Sequence, residues 1–190
     1  MPPRLILASA SPRRRDLLAQ IGITPDAILA TETDETPRKA ENPRHLALRL
    51  ARAKAEVAAT PDAAILAADT VVAAGSRILP KAETEAQARA CLTLLSGRRH
   101  RVLTAVVLRL PDGAMRERLV ESVVAFARLT QAQQDAYIAS NEWHGKAGGY
   151  AIQGLAASFI RFLSGSHSNV VGLPLFETAQ LLRSAGWEIP

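Results

Sequence analysis

The stretch AAILAADTVVAA, from Ala63 to Ala74, limits the possible folds more than any other part of this sequence, because it is apolar everywhere except at Asp69 and Thr70. It falls well short of the roughly 20 apolar residues of a membrane span. It reads instead as a strand buried inside a sheet. An ionised carboxylate in such a strand costs several kcal/mol unless a cation, a metal ion or a set of donors compensates it. Asp69 is therefore expected to have a partner, either in a functional site or among backbone N–H groups at a strand end.

Strand and helix signals alternate on both sides of that run. Leu5–Ala8 reads as a short strand, followed by a helix with Ser11 as N-cap, Pro12 first, Leu17, Leu18 and Ile21 as its apolar stripe and Gly22 as its stop. A strand near Ala27–Ala30 runs into the polar segment TETDETPRKAENPR, an exposed loop. Asn42 caps the next helix, with Pro43 first, Leu46, Leu50, Ala53 and Val57 on one face, and Lys54 off that face. AGSRILP offers a hairpin return after the apolar strand, and Thr84 with Gln87 makes a capping-box start for a helix ending near Gly97.

HRVLTAVVLRLPDG and RLVESVVAFARL then read as antiparallel strands around Pro111-Asp112-Gly113, and Thr130 with Gln133 caps a helix carrying Tyr137 and Ile138. The glycine-rich HGKAGGYAIQG, a strand-like ASFIRFL, the loop SGSHSNVVGLP and a helix from Leu175 to about Ser184 complete the chain. With no linker-like tract, the expectation is one domain over residues 1–190, an α/β fold whose mixed sheet is flanked by helices.

Composition narrows the function classes. The 190 residues are 48% hydrophobic and 22% charged, enough for an ordinary core and too apolar for disorder. No signal-peptide pattern is present, so the expected address is cytoplasmic, with no membrane partner. The single Cys91 sits among helical apolar residues and reads as a core thiol. His45, His100, His144 and His167 show neither zinc-ligand spacing nor an HExxH pattern. The net charge of +5 favours a polyanionic partner: a nucleic acid, a membrane surface or a nucleotide.

SASPRRRDLL crowds cations at a helix start that already carries partial positive charge, each misplaced charge costing about 0.3–1 kcal/mol if nothing answers it. A bound anion would answer it; arginines bending into water or toward distant carboxylates would do so without function. Lys54 and Lys81 join Arg13 and Arg14 as possible phosphate clamps, and Asp34 and Glu35 could add oxygen ligands for Mg²⁺ or Mn²⁺. No GxxxxGK[ST] or GxGxxG motif occurs, which argues against the common kinase, GTPase and dinucleotide routes. Gln153 carries both a donor and an acceptor that suit a nucleobase edge.

LASASPRRRDLL, the DETP loop, LARAKA, AADTVV, LSGRRHRVLTAV, KAGGYAIQG and GSHSNVVGLPL, in this order, closely resemble the Maf family of nucleoside triphosphate pyrophosphatases, historically called septum formation inhibitors. The YAIQG form is similar to the branch acting on dTTP and UTP. The resemblance implies an elongated α/β fold related to inosine triphosphate pyrophosphatases, with a nucleotide cleft between two lobes, and a homodimer. It implies hydrolysis of a nucleoside triphosphate to the monophosphate and pyrophosphate with a divalent cation, Mg²⁺, Mn²⁺ or Co²⁺. Asp69 is implied as proton acceptor, Arg13, Thr70 and Gln153 as specificity positions, Arg14, Lys54 and Lys81 as phosphate-binding residues, and Glu35 with Asp69 as metal ligands. Two segments depart from the family pattern: LPKA replaces a Gly-Lys-Pro sequence at Lys81, and SNEWHGKAGG replaces a more acidic approach to the glycines.

Two other readings remain open on sequence. GRRHR, Gly97 to Arg101, would suit a nucleic-acid-binding module, but aromatics make up only 4% of the chain and no recognition helix is evident, so a stable nucleic-acid complex is not expected. A regulator of cell division acting without catalysis is suggested only by the family's historical name.

Overall fold

The apolar run does form a buried strand, and the rest of the chain is arranged around it. The computed structural model describes residues 2–189. In chain order the elements are β1 (Arg4–Ala8), α1 (Pro12–Gln20), β2 (Ala27–Leu29), α2 (Pro43–Val57), β3 (Ala63–Ala74), β4 (Arg77–Leu79), β5 (Lys81–Ala82), α3 (Glu85–Leu95), β6 (Arg99–Arg109), β7 (Met115–Phe126), α4 (Gln131–Ala139), β8 (Lys146–Ala147), β9 (Ile160–Ser164), α5 (His167–Val171) and α6 (Leu175–Ser184). The main sheet runs β2-β1-β3-β6-β7-β9 with β4 added on β3, while β5 and β8 pair separately. β1 is parallel to β2 and β3, and the β3–β6–β7–β9 half is antiparallel, so the sheet is mixed.

β3 is buried on both faces because its alternating side chains enter different cores. Ile65, Ala67 and Val71 pack under α2 with Leu46, Leu50, Ala105 and Val107. Ala64, Leu66 and Ala68 pack on the opposite face with Leu17, Leu18, Leu181 and Leu182 from α1 and α6. Further along, Val72 joins a third core made with Leu92, Val102, Phe126, Tyr137, Trp143 and Tyr150. The long strands thus run from a lobe built on α1, α2 and α6 into one built on α3 and α4, and the site lies where the two meet. Cys91 is a buried thiol of the second lobe, pushed up from its ordinary pKa by that burial.

Capping chemistry fixes the helices that the sequence indicates. Thr84 with Gln87 and Thr130 with Gln133 both form complete capping boxes, and Asn42 accepts from the His45 N–H. Ser11 is the N-cap residue of α1 but its side chain makes no capping bond; the Ser11 N–H instead donates to Ser9 Oγ at 3.2 Å.

Three expectations are corrected. The buried face of α2 is Leu46, Ala47, Leu50, Ala51, Lys54 and Ala55, with Val57 61% exposed, so Lys54 lies on the inward stripe rather than off it. The first half of ASFIRFL is a 3-10 turn, Leu155–Phe159, before β9 begins. SGSHSNVVGLP is not a loop throughout: Ser166 accepts from the Asn169 N–H and starts the short α5, which Gly172 ends at φ 133°.

Candidate active site

A cavity of about 420 Å³ opens at the junction of the lobes, and the eight residues to which the family resemblance assigns a role line it: Arg13, Arg14, Glu35, Lys54, Asp69, Thr70, Lys81 and Gln153. They come from the start of α1, the loop after β2, the inner face of α2, the middle of β3, β5 and the segment after β8. Ser9, Thr31, Lys146, Tyr150 and Gly172 line it as well.

Asp69 has the partner its burial demands. Lys54 Nζ donates to Asp69 Oδ1 at 2.6 Å and to Glu35 Oε1 at 2.7 Å, and Lys81 Nζ donates to Glu35 Oε2. Two carboxylates and two ammonium groups therefore alternate in one chain across the cleft. The Lys54 and Asp69 side chains are only 8% and 5% exposed, which removes most solvent screening between them. Burial pushes the Glu35 carboxyl up, but the hydrogen bonds from Lys54 and Lys81 outweigh it and hold the group below its ordinary value.

The loop carrying Glu35 is pinned to α2 by Arg49, which no sequence signal marked. Arg49 Nε and Nη2 grip the two oxygens of Glu41 at 2.7 and 2.8 Å, and Nη2 also donates to the Thr36 carbonyl at 3.0 Å. This pairing holds the Glu41 carboxyl down at about 2. Asp34, weighed with Glu35 as an oxygen ligand, does not reach the cavity; its exposed carboxylate accepts from the Thr36 N–H at 3.0 Å.

The three consecutive arginines separate. Arg14 is buried, and its guanidinium donates to the Gly172 carbonyl at 2.8 Å, Ser9 Oγ at 3.1 Å and Thr70 Oγ1 at 3.3 Å. Burial lowers its pKa, with Asp69 opposing that shift. Arg13 is half-buried at the cavity and, among the described residues, has no hydrogen-bond or ion-pair partner; burial lowers its pKa too. Arg15 is exposed and pairs with its neighbour Asp16 at 3.2 Å.

On the far wall, Lys146 faces Arg13 closely enough to feel its charge, and burial together with Arg13 lowers its pKa. Its Nζ donates to the His144 carbonyl at 2.8 Å. Gln153 is exposed at the rim, and the Tyr150 hydroxyl is held at 2.7 Å by His100 Nε2 behind the wall. The unusual segments before Lys81 and around Gly145 fit together in the backbone: the Gly148 N–H donates to the Pro80 carbonyl at 3.0 Å and the Gly145 N–H to the Ala82 carbonyl at 2.8 Å. Gly148 has φ 69°, and a Cβ there would lie 2.9 Å from Val72 Cγ1, so only glycine lets this wall close on β3. Arg49 lay outside every motif, and Lys146, although it opens KAGGYAIQG, was given no role there; both positions arise from strand pairing and loop placement.

Among the described residues, no group of three or more His, Cys, Asp or Glu side chains could hold a metal ion. The two carboxylates that do converge, Glu35 and Asp69, meet on one cation position, which the Lys54 ammonium takes.

A protein from Granulibacter bethesdensis named dTTP/UTP pyrophosphatase is 65% identical over 199 residues, covering 96% of this chain and 93% of its own. A Novosphingobium aromaticivorans protein of the same name is 59% identical over 189 residues, covering 98% of this chain and 94% of its own. Among solved structures, the Staphylococcus aureus Ham1 protein superposes with a TM-score of 0.51 over 95% of this chain and 97% of its own at 12% identity, which shows a shared fold. The family profile described as Maf-like protein matches residues 4–185, and the chain belongs to that family.

Proposed function

We propose that this chain is a nucleoside triphosphate pyrophosphatase that hydrolyses dTTP and UTP to the monophosphate and pyrophosphate. The observation that carries the reading is a buried carboxylate, Asp69, in a cleft where Lys54, Lys81 and Arg13 converge. The names of the two relatives support the same substrates.

In this reading the triphosphate enters against Arg13 and Lys146, which form no ion pair among the described residues. Its oxygens then compete with Glu35 for Lys54 and Lys81, which neutralise the charge gathering on the departing pyrophosphate. Asp69 accepts a proton from the water that attacks the α-phosphorus, and the bond from that phosphorus to the bridging oxygen breaks. Gln153 offers its amide donor and acceptor to a pyrimidine edge.

The convergence of Glu35 and Asp69 on one cation position fits a divalent ion that arrives with the nucleotide and completes its oxygen shell from phosphate and water. Bound there, Mg²⁺, Mn²⁺ or Co²⁺ would neutralise phosphate charge and acidify water.

The test is a pyrophosphate-release screen over canonical and modified nucleoside triphosphates with each of the three metals, on wild type and Asp69→Asn. Wild type should turn over dTTP and UTP best, and Asp69→Asn should bind them but lose most turnover. A purine triphosphate as clear best substrate, or a fully active Asp69→Asn, would overturn the reading.

A further inference from the structure

The GRRHR motif is not used by the cleft, and the fold gives it company. β6 alternates: His100 turns inward to Tyr150, while Arg99 turns to the other face of the sheet. On that face Arg99, Ala125 and Phe162 lie in one row across β6, β7 and β9. The small Ala125 lets the Arg99 guanidinium lie 5.0 Å from the Phe162 ring centroid. Phe162 is 43% exposed.

Three more exposed arginines gather at this corner. The Arg98 carbonyl accepts from the Phe126 N–H, the Arg128 Cβ lies 3.8 Å from the Cβ position of Gly97, and Arg161 precedes Phe162 at the irregular point of the β7–β9 pairing. Among the described residues, Arg98, Arg99, Arg128 and Arg161 have no carboxylate partner, and no Asp or Glu occurs in residues 96–101, 122–130 or 157–168. Beside them, Glu121 is already paired with Arg44 and Arg101.

We propose that this corner is a second binding surface, separate from the nucleotide cleft, for single-stranded nucleic acid. Arginine is the side chain best matched to phosphate oxygens, and an exposed ring with a stacked guanidinium is a platform for an unpaired base. The composition argument against nucleic acid was the scarcity of aromatic residues; one of the four phenylalanines is placed where a base would use it. The four arginines lie on strands and connecting turns rather than on a helix that could enter a duplex groove. A single large apolar side chain gives no wedge for a lipid surface. Arg99 and Phe162 use the face of β6 opposite His100 and Val102, and none of the four arginines lines the cleft, so binding here leaves the cleft open.

The test is fluorescence anisotropy of a labelled oligo(dT) of about 20 nucleotides, long enough to span the corner. Four arginine–phosphate contacts at about 0.7 counterions each predict roughly 50-fold weaker binding between about 50 and 200 mM salt. Arg98→Gln/Arg99→Gln/Arg128→Gln/Arg161→Gln should abolish binding while hydrolysing dTTP at the wild-type rate, which also shows that it folds. Phe162→Ala should weaken binding by about tenfold. Excess dTMP should not displace the oligonucleotide. The proposal is overturned if the fourfold variant binds as wild type does, if dTMP competes, or if anionic phosphatidylserine vesicles bind this corner and oligo(dT) does not.

Discussion

Replacing Lys54 by Met tests the central electrostatic claim, that Asp69 is tolerated in β3 because one buried ammonium answers it. Lys54 Nζ is 2.6 Å from Asp69 Oδ1 and both side chains are more than nine-tenths buried, so the substitution strands a carboxylate in a low-dielectric interior. Removing one partner of a buried pair costs about 3–5 kcal/mol. In a chain of this size that is a fall in Tm of about 10 °C. Glu35 is spared, because Lys81 still donates to it. The comparison is urea and thermal unfolding of Lys54→Met, Asp69→Asn and the double variant near neutral pH. Lys54→Met should be the least stable, and adding Asp69→Asn should restore most of the loss. If Lys54→Met unfolds within about 1 kcal/mol of wild type, or the double variant is less stable than Lys54→Met, the pairing argument fails.

Three further perturbations probe other parts of the structure. Arg15→Ala, which removes only an exposed pair with Asp16, should leave dTTP hydrolysis unchanged, whereas Arg13→Ala should raise KM by about tenfold or more; equal effects would refute the different roles. Burial holds His100 at about 4, below its ordinary 6.5, so the unfolded chain binds the extra proton; stability is full above pH 6.5 and falls toward pH 4 by about 3 kcal/mol. His100→Gln should flatten that part of the stability–pH curve, and identical curves would show that the imidazole is not held neutral. Gly148→Ala forces a side chain at φ 69° against Val72 and should lower stability and raise KM together; an unaffected KM would separate this turn from the cleft.

The elements most legible in the sequence are those whose signal is local. Capping boxes at Thr84 and Thr130, the Asn42 cap and the turn before Gly113 are decided by residues three or four apart, and each forms as expected. Asp69 was legible because it interrupts the apolar run of β3, whereas Arg13, Arg14, Lys54, Lys81, Glu35 and Gln153 were legible from their charge or amide chemistry and from motifs that resemble the Maf family, not from any period. Lys54 was misplaced by the same logic: a lysine was assumed to face water, although two carboxylates brought by distant segments make the inward position favourable. α5 was hidden because its five residues are too few to show a period, and Arg49 because its partners Glu41 and Thr36 lie in an irregular loop.

The arginine cluster shows where local reading stops. Successive helical residues point about 100° apart, so three adjacent arginines at one helix start cannot share an environment. Arg14 turns inward, where the Gly172 carbonyl, Ser9 and Thr70 supply neutral oxygens that hold a buried guanidinium without an anion. Arg15 turns outward to Asp16, and Arg13 alone faces the cavity with no partner among the described residues. Arg13 and Arg14, whose pKa values burial lowers, therefore carry the electrostatic cost at the α1 N-terminus, and Arg15 escapes it. The Gly172 carbonyl that steadies Arg14 is set by α5, held in turn by Asn169 Nδ2 donating to the Val102 carbonyl and Ser122 Oγ at 3.1 and 2.9 Å. A motif near the C-terminus thus fixes a side chain near the N-terminus, a contact spanning 158 residues of sequence that no local pattern could encode.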